Sequence, residues 1–288
     1  MSAGTRTGAP ELPARVAPES EPPARFRDLV AAEWLKLWSL RSTPWLLALI
    51  AVAVVAVNAN GAATESANFH SSGGAPDPFT EFRAVRAVVS DIGVLLVMLT
   101  AASVGTLAVA GEYATGSARA TFAAVPARRH VVAAKAVVVT AVMLAYGAAL
   151  VGTSFAVTQS ILAEHHIDAA LYDSGVLRAL AASVLMAPVC GLVGMAVGAL
   201  VRGTASALVT VVIVLILLPM AFDDDKASWS TALDHAQPLS AWERLVMVGP
   251  PPGWGWSTAG FAEAWTVFAL WAAISAAVAV VAVDRRDV

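Results

Sequence analysis

Charged residues are unevenly spaced along the chain, and the gaps between them give the first structural signal. Six charge-free windows stand out: Ser42 to Thr64, Ile92 to Gly111, Ala136 to Ala163, Ala179 to Val201, Gly203 to Phe222 and Ala264 to Val283. About 20 mostly apolar residues cross a hydrocarbon core of about 30 Å as a helix, so each window is read as a span. The pattern predicts an all-α integral membrane protein with transmembrane helices at about 44–60, 90–111, 134–161, 178–201, 203–222 and 262–283. These form one domain over 25–288.

The segments between the windows refine this outline. Residues 1–24 are rich in Pro, Ala, Glu and Arg and poor in large apolar side chains, which predicts a disordered tail. The tail lacks the apolar core of a secretory signal and is expected on the cytoplasmic side. Over 25–42, Phe26, Val30, Trp34, Leu37 and Trp38 recur at helical spacing, but Glu33 and Arg41 fall inside the apolar arc and Leu35 outside it. This predicts an interfacial helix with Trp anchoring, bending into the first span at Pro44. Glu65 to Val89, with Ser71-Ser72-Gly73-Gly74 and Pro76-Asp77-Pro78, is predicted as a loop. Span three leads into Glu164-His165-His166-Ile167-Asp168, and Arg202-Gly203 predicts a tight hairpin between spans four and five. Gly194 and Gly198, with Gly191 nearby, form a GxxxG pattern that permits close helix approach. The segment after Asp223-Asp224-Asp225 carries Trp229, Trp242, Trp254 and Trp256 and is expected to lie at a membrane interface.

Composition agrees: 58% of the 288 residues are hydrophobic and 14% charged, against about 25% charged in soluble domains. The net charge of −3 matters less than its distribution. Arg6, Arg15, Arg25, Arg27, Lys36, Arg41, Arg119, Arg128, Arg129, Lys135, Arg202, Arg285 and Arg286 fall on the side of the two chain ends; Arg83, Arg86, Arg178, Lys226 and Arg244 fall on the other. The positive-inside rule places both termini, and the polar island from Gly111 to Lys135, in the cytoplasm, with the chain multi-pass in the plasma membrane. No basic run with aromatic interleaving suggests nucleic-acid binding.

Few groups can carry chemistry. The windows hold no central charge of the kind an ion-coupled carrier needs. Tyr146, Thr153, Ser154, Thr158 and Gln159 are read as helix–helix hydrogen-bonding groups. His165 and His166 are adjacent rather than i, i+4, and the Asp223 to Asp225 triplet lacks a calcium-loop pattern, so no metal site is assigned. Cys190 is the only cysteine, which excludes an intrachain disulfide. There is no glycine-rich phosphate loop with Lys and no GxSxG elbow, so the chain is expected neither to hydrolyse ATP nor to act as an enzyme.

Several separated stretches resemble one family. Glu33-Trp34-Leu35-Lys36-Leu37 with Ser39-Leu40-Arg41-Ser42-Thr43 resembles its leading helix. Gly111-Glu112-Tyr113, Thr115-Gly116, Arg119-Ala120-Thr121, Ala123-Ala124-Val125-Pro126 and Ala134-Lys135 resemble its first cytoplasmic loop, and Arg285-Arg286-Asp287-Val288 its ending. The family is the permease subunit of type-2 ATP-binding-cassette (ABC) exporters of the actinobacterial kind. The resemblance implies a short helical cytoplasmic loop that docks a separate ATPase subunit, with Glu112, Tyr113, Gly116, Arg119, Pro126, Arg128 and Arg129 as its docking residues. Glu33, Trp34, Lys36 and Arg41 mark the leading helix. It further implies a second permease chain and ATP and Mg used by the partner, with no cofactor bound here. The cargo is expected to be hydrophobic or amphipathic. The acidic segment after span five departs from the family's more apolar one. The alternatives are a non-transporting anchor or sensory subunit for an ATPase, and an autonomous carrier. For topology, Ser117→Cys is expected to react with an impermeant thiol reagent only from the cytoplasmic side; labelling from outside alone would reverse the orientation.

Overall fold

The computed structural model describes residues 25–39, 42–71, 79–117, 128–221, 228–248 and 260–284. The readings of the tail 1–24, Arg41, the loop at 72–78, Arg119, Pro126, Asp223 to Asp225, Trp254, Trp256 and the last four residues lie outside them. Among the described residues there is no strand, and six helices are long and apolar enough to cross a membrane. The protein is therefore a multi-pass all-α membrane protein.

The chain enters through α1 (Phe26–Ser39) and continues as α2 (Ser42–Ser71), α3 (Thr80–Val88) and α4 (Asp91–Ala114). Then come α5 (Arg128–Leu162), α6 (Val176–Val201) and α7 (Thr204–Val212). A π turn, Ile213–Leu217, joins α7 to α8 (Leu218–Ala221), and α9 (Ser228–His235), α10 (Pro238–Leu245) and α11 (Phe261–Asp284) follow. The spans are α2, α4 extended by α3, α5, α6, α7 with α8, and α11.

Helix α6 is the spine of the bundle, packed by α4, α5, α7, α10 and α11. In its most apolar stretch 78% of residues are buried, against 22% in α2. Glycine makes this density possible. A Cβ at Gly105 of α4 would fall on the Gly191 carbonyl oxygen, and one at Gly194 on the Ala102 carbonyl oxygen, closer than real Cβ atoms come. At Gly198 it would lie 2.9 Å from the Thr106 oxygen, and at Gly147 of α5 2.6 Å from the Val184 oxygen. Thr106 Oγ1 donates to the Gly194 carbonyl at 3.1 Å, so α4 and α6 are joined by a polar bond where their backbones meet. The sequence motif on α6 thus faces a complementary glycine on α4 that the sequence reading did not mark.

Two expectations change at the far end, opposite α1. Residues 65–71 and 80–88, expected as loop, are helical: α2 runs on to Ser71, and α3 buries Ala84, Val85, Ala87 and Val88 against the bundle. The turn residues in this stretch bias only their own neighbourhood, and α3 has an apolar face at helical spacing. Trp242, expected at an interface, is fully buried and donates from Nε1 to Ser183 Oγ of α6 at 2.9 Å. A satisfied indole N–H makes a tryptophan as suitable for a core as for a membrane surface. Trp229 is exposed, as expected.

Asn58 ties this end together with all its hydrogen-bonding capacity. Its Nδ2 donates to the Val88 carbonyl at 2.7 Å and to Ser154 Oγ at 3.1 Å. Its Oδ1 accepts from Ser90 Oγ at 2.6 Å and from Ser90 N at 3.3 Å. Ser90 in turn accepts from Gly93 N and caps α4. Gln159 bridges in the same manner, donating to the Ala84 carbonyl and accepting from Ala169 N. Of the polar residues read as packing groups, Ser154 and Gln159 bond to other elements, while Thr158 bonds its own helix at the Ser154 carbonyl. Gly194→Ala is expected to destabilise the protein by about 1–3 kcal/mol through overpacking, whereas Gly152→Ala, which meets nothing within 4 Å, is not. Unfolding of purified protein in detergent measures the difference; equal stabilities would contradict the tight α4–α6 contact.

Candidate functional site: a ring of four charges

Glu33 is the residue that breaks the apolar stripe of α1, and it is the buried residue of that helix. Its side chain is 4% exposed and faces Lys135 of α5, itself 7% exposed. An isolated ion so placed carries a large desolvation cost, and a partner is needed to hold it charged. Lys135 Nζ donates to Glu33 Oε2 and, at 3.0 Å, to Glu112 Oε1 of α4. Lys36, one turn on from Glu33 in α1, donates to Glu33 Oε1 at 2.7 Å and to Glu112 Oε1 at 3.1 Å. The four side chains close a ring of alternating sign with no net charge, drawn from three helices.

Local structure puts each member in place. Helix α5 begins at Arg128, earlier than the span expected from 134, so Lys135 lies about two turns inside it. On α4, Glu112 sits in the last turn before Ala114, and the chain then turns at Gly116, whose φ of 72° suits glycine. Thr115 and Gly116 form a turn, and residues 118–127, which hold most of the expected helical loop, lie outside the described ones. Spacing of three puts Glu33 and Lys36 on one face of α1. Burial works against the Lys36 ammonium, but its bond to Glu33 and the charges of Glu112 and Glu33 outweigh this, so its pKa stands above the ordinary lysine value.

The other expected site residues separate into groups. Trp34 is exposed and stacks in a tilted contact with Trp38, 5.8 Å between ring centroids. Their unpartnered apolar faces suit a lipid surface. Arg129, also exposed, reaches Asp284 at the end of α11, 3.5 Å away. Arg128 begins α5 and is half-buried. Tyr113, half-buried, lies under the Arg202 guanidinium, 4.9 Å from its ring centroid. Gly191, Gly194 and Gly198 belong to the α4–α6 contact and not to this ring. Among the described residues no cluster of three or more His, Cys, Asp or Glu side chains has metal-binding geometry. His165 instead makes a tilted ring contact with His70.

Sequence reasoning named Glu33 and Lys36 in the leading helix and Glu112 and Lys135 in the cytoplasmic loop, two separate features, and did not pair them. The signal was the pair of oddities itself: an acid inside an apolar stripe, and a lysine bordering a charge-free window. Compared with known proteins, the chain matches no family model and no curated protein.

Lys135→Met leaves two carboxylates to one lysine, and breaking a buried pair in this way costs about 3–5 kcal/mol. Adding Glu33→Gln is expected to recover most of that loss, while Lys36→Met, on a half-exposed side chain, costs less than Lys135→Met. Denaturant or thermal unfolding in detergent reads all three. Equal effects at Lys36 and Lys135 would contradict the ring.

Proposed function

We propose that the chain is the membrane permease subunit of an ATP-driven exporter of the ABC type. In this reading it pairs with a second permease chain and a separate ATPase and moves a hydrophobic or amphipathic substrate out of the cell. The supporting observation is the ring of charges. Glu112 and Lys135 stand at the two ends of the polar island, and both are bonded to α1. A partner pressing on the island would act on α1, α4 and α5 together, as a motor driving a bundle requires. Arginine, multidentate and permanently charged, suits the contact itself. This reading gives that role to Arg128 and Arg129. Glu112 is assigned to positioning, because its carboxylate is engaged by two lysines within the chain.

The reading is tested by co-expressing this chain with candidate ATPase subunits from the same genome. Charge reversal at Arg128 and Arg129 is expected to lower co-purification of the ATPase and its stimulated hydrolysis while membrane insertion stays intact. Glu112→Ala is expected to weaken coupling more than binding. Vesicles holding both proteins should accumulate hydrophobic cargo in an ATP-dependent manner. Stimulated hydrolysis with no cargo moved would favour the anchor or sensory role instead.

A further inference from the structure

At the end of α6 the chain holds an arginine in an unusual setting. Arg202 takes the left-handed conformation, φ 59°, that non-glycine residues seldom adopt, and its N–H bonds back to the Gly198 carbonyl at 3.0 Å. Its guanidinium covers the Tyr113 ring, yet Nε and Nη2 are buried without a hydrogen-bond partner, and so is the Tyr113 hydroxyl. The two groups lie against each other, but none of the three atoms has a well-formed hydrogen bond, so they recover little of the hydration they lose. The neighbouring acids do not serve them. Among the described residues at this end, Asp28 faces Arg27, Glu33 and Glu112 share Lys36 and Lys135, and Asp284 faces Arg129. A cation at a helix C-terminus is favoured by the helix dipole, but that accounts for the charge and not for the idle donors.

We propose that Arg202 and Tyr113 form a binding site for the phosphate of an anionic phospholipid in the cytoplasmic leaflet. The acceptor that fits is a compact anion with several oxygens, which a guanidinium grips by its fork. The depth selects a lipid as its source. Arg202 follows the last residue of a 26-residue apolar span, and its neighbours Leu200 and Val201 are exposed apolar side chains, so one ligand meets acyl-chain surface and cation side by side. The cytoplasmic leaflet supplies anionic headgroups. Rotation about the terminal torsions of the arginine presents Nε and Nη2 to the headgroup, and the Tyr113 hydroxyl adds a third donor. The site rests on the orientation from the positive-inside rule and not on transport, so it stands or falls separately from the exporter reading.

The test uses the full chain in phosphatidylcholine nanodiscs with and without phosphatidylglycerol. Wild type is expected to retain phosphatidylglycerol over phosphatidylcholine about tenfold, in line with one charged hydrogen-bonded contact, and to melt at a higher temperature when it is present. Arg202→Gln is expected to lose this preference and Tyr113→Phe to weaken it, while Arg27→Gln keeps it. In phosphatidylcholine alone Tyr113→Phe should melt no lower than wild type, and Arg202→Gln lower only by the loss of its contact with the Tyr113 ring. Three results would overturn the proposal: an unchanged preference in Arg202→Gln, equal destabilisation of that variant in both lipids, or inorganic phosphate matching the effect of the lipid.

Discussion

A carboxylate and an ammonium removed from water must hold each other, and Glu33 and Lys135 do so across two helices. That requirement sets the position of α1. The helix has few other reasons to stay: most of its large apolar side chains, Phe26, Trp34, Leu35 and Trp38, point away from the bundle. With Lys36 and Glu112 the pair becomes a neutral ring, so burial leaves no unbalanced charge. Such a ring need not raise net stability over a well-packed apolar contact, but losing one member of it is costly. Its effect is to make α1, the end of α4 and the start of α5 one mechanical unit.

The two ends of the bundle satisfy buried polarity with different arrangements of groups. At the end bearing α1, charges from three helices neutralise one another. At the far end the neutral groups of Asn58, Ser90, Ser154 and Gln159 satisfy backbone groups where α3, α4 and the chain after α5 change direction, alongside the Arg83–Glu65 and Arg86–Asp91 ion pairs and the buried Arg244, which donates to the His235 carbonyl. Arg178 adds to this, donating to the Leu245 and Met247 carbonyls while its guanidinium lies 3.6 Å from the Phe261 ring centroid, so that the segment after α10 is held against α6. Between the ends, Gly105, Gly191 and Gly194 bring α4 and α6 to backbone contact. Without a hydrophobic driving force between helices in lipid, close packing of this kind is a principal source of association.

Much of this architecture was legible in the sequence, because hydropathy over twenty residues is an additive property that needs no knowledge of the fold. The helices that cross a membrane follow from it, with ends shifted by several residues where polar side chains such as Arg128 and Glu65 remain helical. What could not be read was pairing at a distance. Nothing in the chain says that Glu33 meets a lysine 102 positions away, or that Gly105 is the partner of Gly191. Trp242 was misplaced because its type suits either an interface or a core, and only the position of Ser183 decides between them. Helix α3 was missed because turn-forming residues nearby outweighed four apolar positions.

The central claim is that the charge ring fixes α1 to the bundle, and hydrogen exchange along the backbone of the intact protein measures this directly. In Lys135→Met, protection is predicted to fall over Phe26–Ser39 and to stay unchanged in α6, whose contacts do not involve the ring. Unchanged protection of α1 in that variant would contradict the claim.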